Sequence, residues 1–173
     1  MSCALTQGYT LDCADGFGGV KEVYVMELEN ASTITLTAGV VTTLTKATGK
    51  RFYKYQLVAH TAEGSDELTT NRETGGSEVA QSVKFPINKM SVAVRNELLL
   101  LAKNRLLVAV LDNNGTPWLY GREYGLTLNK ATGKTGVNLS DRNGYELELS
   151  GKEKEFAPKI DSTIFAALET AGT

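Results

Sequence analysis

The stretch NKMSVAVRNELLLLAKNRLLVAVLDNNGTPWLYG, residues 88–121, decides the fold. In its first half Met90, Val94, Leu98 and Leu101 fall on one stripe at helical spacing, and Asn88 stands where an N-cap belongs. The pattern predicts a helix over about 88–104. Leu99, Leu100 and Ala102 widen the stripe beyond one face, whereas a surface helix keeps its outer side polar. The end of this helix is therefore expected to be covered twice, by the core and by either a loop of the same chain or a neighbouring subunit. Leu106 to Leu111, LLVAVL, is the continuous apolar run of an interior strand. Asp112-Asn113-Asn114-Gly115 follows as a hairpin turn, and Pro117 to Tyr120 returns as its second strand.

Working outward, the flanks read as strands. VKEVYVMEL (20–28), 32–37, 40–45, RFYKYQLVAHTA (51–62), 77–85, 123–128 and GYELEL (144–149) carry the alternation and the β-branched or aromatic content of pleated, half-buried segments. Residues 63–76, EGSDELTTNRETGG, are polar and weakly alternating with glycine toward each end, and predict an extended arm or long hairpin. The tail from Lys159, KIDSTIFAALET, is expected to form a short helix capped by Asp161 or a docking strand, because Ile164, Phe165 and Leu168 are too apolar to stand in water. Short sequential strands with one long helix predict a mainly β fold, an antiparallel β-sandwich or barrel with one flanking α-helix. A length of 173 residues is most economically one domain, 1–173.

The net charge of −2 and the scattering of Lys and Arg among acids argue against a protein that grips nucleic acid by its phosphates. MSCALTQGYTLDCADG has neither a basic start nor a long apolar run, so no secretory signal is expected, and the longest apolar stretch, Leu98 to Ala102, is far short of a membrane span. Cys3 and Cys13 are expected as free thiols or small buried residues, although a bond between them is possible.

No motif supplies catalysis. TLTKATGK (43–50) and TLNKATGK (127–134) agree at seven of eight positions, yet neither completes a phosphate-binding loop: the earlier glycine that it requires falls at Leu44 and Leu128, and no helix follows. Both copies are expected to be turns, with Gly49 and Gly133 at positive φ. Asp112, Asn114, Thr116 and Glu123 have calcium-loop spacing, but Pro117 stands where the loop needs glycine, so a hairpin is expected. Asp12 and Asp15 beside GFGG read as an ordinary turn, as does Asp141-Arg142-Asn143. His60, the only histidine, is expected in strand alternation with a structural or surface role. Glu146 and Glu148 share a strand face and could serve a glycosidase, but alternating Glu and Leu is also how a half-exposed strand reads. An enzyme is not expected, and no cofactor or metal.

The order VKEVYVMELEN, ITLTAGVVTTL, RFYKYQL, PINKMSVAVRNELLLLAKNRLLVAVLDNNGTPWLYG, GLTLN and DRNGYELELSGKEKE resembles a class of small virion structural proteins of tailed phages that infect Bacteroidetes, including crAss-like phages. The resemblance covers most of residues 18–158 and is strongest over 88–121 and DRNGYELELSG. The layout is also similar to tail-tube and tail-tube-like ring proteins. That resemblance implies a sandwich whose copies associate into homo-oligomeric rings in the tail or head–tail connector, beside other tail or connector proteins. DNA would pass through the lumen without specific binding. The protein would be made in the host cytoplasm and reside in the virion, with no membrane partner. Assembly residues are then expected along the arm, at Asp66, Leu68, Thr70 and Arg72; at the helix end, at Leu99 and Leu100; and in the tail, at Ile164, Phe165 and Leu168. The alternative is a secreted β-sandwich that binds carbohydrate or a cell surface through Trp118, Tyr120 and Tyr124.

Overall fold

A computed structural model describes residues 7–10 and 16–172; Cys3, Cys13, Asp12 and Asp15 lie outside the described residues. The chain order is β1 (Val20–Glu27), β2 (Ala31–Thr37), β3 (Val40–Lys46), β4 (Tyr53–Tyr55), β5 (Glu63–Asn71), β6 (Gly76–Asn88), α1 (Val92–Leu101), β7 (Leu106–Asp112), β8 (Pro117–Tyr120), β9 (Thr127–Lys134), β10 (Gly144–Glu153), β11 (Lys159–Ile160) and α2 (Ser162–Ala166). Two sheets form. The wide one has the order β2-β3-β11-β8-β7-β1-β4, and the narrow one β5-β6-β10-β9. All pairings are antiparallel except β11 with β3. The expected mainly β, sandwich-like architecture with one substantial flanking helix is what the chain adopts.

The wide sheet explains the unbroken LLVAVL run. Leu106, Val108 and Val110 point into the core shared with the narrow sheet, where they meet Val83, Phe85, Leu147 and Leu149. Leu107 and Ala109 point the other way, into a second cluster with Met26, Phe52, Ile160 and Leu168. A strand buried on both faces has no polar side to alternate with. α1 closes one side of the first core with Leu98 and Leu101.

Several boundaries differ from the sequence expectation. α1 spans Val92–Leu101, inside the expected 88–104. Asn88 is spent as the last residue of β6, paired with Gly144. Lys89 takes φ 69, and Ser91 caps instead, its Oγ accepting the Val94 N–H at 3.2 Å. The expected strand over 51–62 shrinks to Tyr53–Tyr55, and His60 sits at φ 61, in a turn and not in strand alternation. The segment 121–126 is a loop, and the following strand extends to Lys134.

The two octamers adopt different structures. Gly49 has φ 77 and turns the chain after β3, as expected. The second copy is β9 along its whole length, and Gly133 is extended, with the Tyr145 ring and the Met90 methyl where a side chain would stand. The difference is tertiary. Lys46 of the first copy turns to the C-terminal tail, where its Nζ donates to the carbonyls of Ala167 (2.6 Å), Leu168 (3.2 Å) and Thr170 (2.6 Å). The second copy pairs with β10 from Thr127 to Lys134.

Candidate assembly surfaces

The arm is a long hairpin. β5 and β6 pair from Glu63↔Lys84 to Asn71↔Gly76, and the Asn71 side chain ties the turn by accepting the Glu73 N–H at 2.9 Å. Pairing of β10 with β6 stops at Glu153↔Val79, so the rungs Thr69↔Glu78, Thr70↔Ser77 and Asn71↔Gly76 project as a two-stranded ribbon with no third strand among the described residues. Isolated ribbons of this kind bury little and gain little stability alone.

The root of the arm is firmly held. Gly64 lies against the Tyr120 ring, and a Cβ there would stand 2.8 Å from the hydroxyl. Asp66 Oδ2 accepts the Ala157 N–H at 3.1 Å, while its Oδ1 is buried without a partner among the described residues. Burial raises the Asp66 carboxyl above the usual carboxylate range, and the Ala157 N–H partly opposes this. The Tyr120 hydroxyl is pushed up to about 12, first by burial and then by the charges of Asp66 and Asp112. Of the arm residues singled out from the sequence, Asp66 is therefore half-buried at the root. Leu68, Thr70 and Arg72 are exposed along the hairpin.

Leu99 and Leu100 are indeed more than one face of α1 needs, standing 49% and 54% exposed, with Val92 at the other end 75% exposed. Among the described residues no second cover lies over them. Beside Leu100 a groove of about 110 Å³ lies between the end of α1 and strands β1 and β4, lined by Tyr53, Tyr55, Leu100 and Leu101, with Glu27 and Glu97 also at its wall. The Tyr55 hydroxyl is pushed up to about 12 by burial, then by Glu97 and Glu27.

The tail corrects one expectation. Both predicted forms occur, a strand and a helix capped by Asp161, whose Oδ1 accepts the Thr163 N–H at 2.9 Å. Leu168 is buried, Ile164 and Phe165 pack on the second cluster, and Phe165 meets Tyr24 edge to face at 5.3 Å. Leu168 therefore belongs to the core of its own chain, whereas Ile164 and Phe165 are half-buried against it, with part of each side chain still facing solvent.

The outer face of the narrow sheet is polar and charge-compensated. One rung reads Glu63, Lys84, Glu148, Lys130 across the four strands, with ion pairs of 3.2 Å and 4.0 Å at Lys84. The next reads Ser65, Ser82, Ser150, Thr127. Glu146 pairs with Lys134 and Arg142, each at 3.6 Å, so Glu146 and Glu148 are ion-pair partners of their neighbours. Exposed pairs of this kind contribute little to stability.

The remaining constellations resolve as local structure. Asp112 serves its own hairpin, its carboxylate accepting the Thr116 N–H at 2.8 Å and the Trp118 indole N–H at 3.1 Å. Trp118 is half-buried and Tyr120 buried, while Tyr124 is exposed in the following loop, so the three do not form an open aromatic platform. Among the described residues no group of three or more His, Cys, Asp or Glu side chains is placed to hold a metal ion, and no helix is long and apolar enough to cross a membrane.

Sequence reasoning missed two buried polar anchors. Glu153, 5% exposed, gathers the N–H groups of Glu123, Tyr124 and Gly125 at 2.9–3.2 Å. Gln81, 2% exposed, accepts the Gly121 N–H at 2.9 Å and donates to the Glu155 carbonyl at 3.2 Å. Both sit among polar neighbours in sequence, so only the alternation of β6, which places Gln81 with Val79 and Val83, carried a signal. The chain has no significant match among protein families, curated proteins or solved structures.

Proposed function

We propose that this chain is a virion structural protein of a tailed phage that self-assembles into a ring or tube in the tail or head–tail connector and forms part of the DNA conduit. The observation that carries the reading is the hairpin of residues 63–76, whose last three rungs leave the sheet and stand in solvent. A ribbon so extended, on a root so firmly held, is built to reach another molecule. The uncovered Leu99 and Leu100 supply apolar area of the kind that oligomers bury, and the compensated outer face of the narrow sheet suits a wall past which DNA slides without sticking. The partners are then further copies of the chain and the neighbouring tail or connector proteins.

Light scattering of the purified chain across a concentration series, with negative-stain images of the same samples, tests this. Closed rings or tubes are expected. A chain that stays monomeric throughout, and beside its virion partners, overturns the reading.

A further inference from the structure

The turn between β7 and β8 does more than reverse the chain, because its two asparagine side chains hold the backbone of residues 17–19. Asn114 Oδ1 accepts the Phe17 N–H at 2.8 Å, and Asn114 Nδ2 donates to the Phe17 carbonyl at 2.9 Å. Asn113 Nδ2 donates to the Gly18 carbonyl at 2.6 Å, and the Asn113 N–H to the Gly19 carbonyl at 3.2 Å. Residues 17–19 thus form a strap along a cavity of about 270 Å³, whose other walls include Glu63, Asp112, Trp118 and Tyr120. Among the described residues, Asn114 makes every backbone hydrogen bond of Phe17.

Asn114 is also followed by glycine. The chain has two Asn-Gly pairs, Asn114-Gly115 and Asn143-Gly144. With no Cβ on the second residue, its backbone nitrogen has open access to the asparagine Cγ. The two pairs are placed differently. Asn114 and Gly115 are exposed in a turn, with Gly115 at φ 83. Gly144 is buried within β10 against the Ile87 carbonyl, and Asn143 accepts the Lys89 and Met90 N–H groups. Closing a ring at Asn143 would break the pairing of β10 with its neighbours, whereas closing one at Asn114 needs only the release of the strap.

We propose that Asn114 is a self-modification site whose conversion frees the strap irreversibly. The inference stands apart from the assembly reading. In the closed state the Phe17 backbone fixes the Asn114 amide. When the strap opens, the Gly115 nitrogen gives its proton to solvent and its lone pair bonds to Asn114 Cγ. The Cγ–Nδ2 bond breaks, and that nitrogen takes up a proton and leaves as ammonia. Water then opens the cyclic imide, and aspartate or isoaspartate remains; no electrons are gained or lost. An oxygen now stands where Nδ2 donated, so the Phe17 carbonyl faces an acceptor in place of a donor. The strap loses that bond, and the cavity beside Trp118 and Tyr120 opens.

Peptide mapping of the intact chain after incubation at mildly alkaline pH, with isoaspartate detection, tests the site. Conversion is expected at Asn114 ahead of Asn143 in the folded chain, and at similar rates in urea. Phe17→Pro removes the N–H that Asn114 Oδ1 accepts, and loss of one such bond is expected to speed the folded-state conversion by about two- to tenfold. Asn114→Asp carries the product charge from the start. It is expected to raise chymotrypsin cleavage after Phe17 by about the same two- to tenfold, since cleavage follows the open population. Conversion at Asn143 that keeps pace with Asn114 in the folded chain overturns the site, as does a lead of Asn114 that persists undiminished in urea. A rate unmoved by Phe17→Pro overturns the control by the strap. Unchanged cleavage in Asn114→Asp overturns the release.

Discussion

Replacing Glu153 with alanine tests whether a single buried carboxylate organises the loop between β8 and β9. Its Oε1 takes the N–H groups of Glu123 (3.1 Å), Tyr124 (2.9 Å) and Gly125 (3.2 Å), and Oε2 takes Glu123 again at 3.1 Å. The Gly125 N–H is buried, and stranding it costs about 1–3 kcal/mol. The other two donors are half-exposed and recover water, so each loses about 0.5–1 kcal/mol. Glu153→Ala is therefore expected to cost about 3 kcal/mol, a fall in Tm of roughly 6–12 °C for a chain of this size. Glu153→Gln keeps an acceptor oxygen but loses the charge, which roughly halves each bond, for about 1–2 kcal/mol. The assay is urea unfolding followed through Trp118, the one tryptophan, which packs on the inter-sheet core. Glu155→Ala is the control; that side chain is 68% exposed in a 3.4 Å pair with Arg122 and should change stability by less than about 0.5 kcal/mol. A Glu153→Ala chain no less stable than the control would refute the reasoning.

Further outcomes follow from the same structure. Leu168→Ala should cost about 2–5 kcal/mol in urea titrations, because Leu168 is buried and its loss leaves a cavity under the tail; a cost below about 1 kcal/mol would return it to the list of free interface residues. The Asp66 carboxyl is raised by burial, so the folded form holds its proton to higher pH than the unfolded chain does. The stability it contributes is full below the ordinary aspartate range and is lost as pH rises through the raised folded value. Asp66→Asn should therefore flatten the fall in urea midpoint over that window, and an unchanged profile would refute it. Gly49→Asn should be tolerated better than Gly49→Ala, since Asn accepts φ 77. At the extended Gly133 Asn should be no better than Ala, since both meet Tyr145; equal ranking at the two glycines in thermal melts would show that the octamers are alike after all.

The architecture was legible where one physical signal dominated. LLVAVL announced an interior strand because both faces of the wide sheet are covered, and Asn114-Gly115 announced its hairpin. The polar run 63–76 was legible as an arm because it cannot bury itself. The octamers were not legible, because a local turn propensity at Gly133 yields to the pairing of β9 with β10 from Thr127 to Lys134. The cap of α1 was misread because Asn88 and Ser91 are both good caps, and the choice depends on how far β6 runs. Ile164, Phe165 and Leu168 read rightly as needing cover, but sequence could not say whether the cover was the chain itself. Val137 and Leu139, fully exposed in the connection between β9 and β10, went unnoticed because two aliphatics separated by one asparagine make no periodic pattern.

The two-residue strand β11 has a consequence for how the molecule is made. It alone joins the β2–β3 hairpin to the rest of the wide sheet, parallel to β3 and antiparallel to β8. The hairpin can form as soon as its own residues are available, but its place in the sheet waits for Lys159 and Ile160, far later in the chain. Closure across so long a stretch is slow, because loop entropy is lost before the new contacts reward it. Until then the apolar undersides of Val41, Phe52 and Leu119 have no lid. In the proposed assembly, each copy would complete its own sheet last, and the timing of that step would separate folding from assembly.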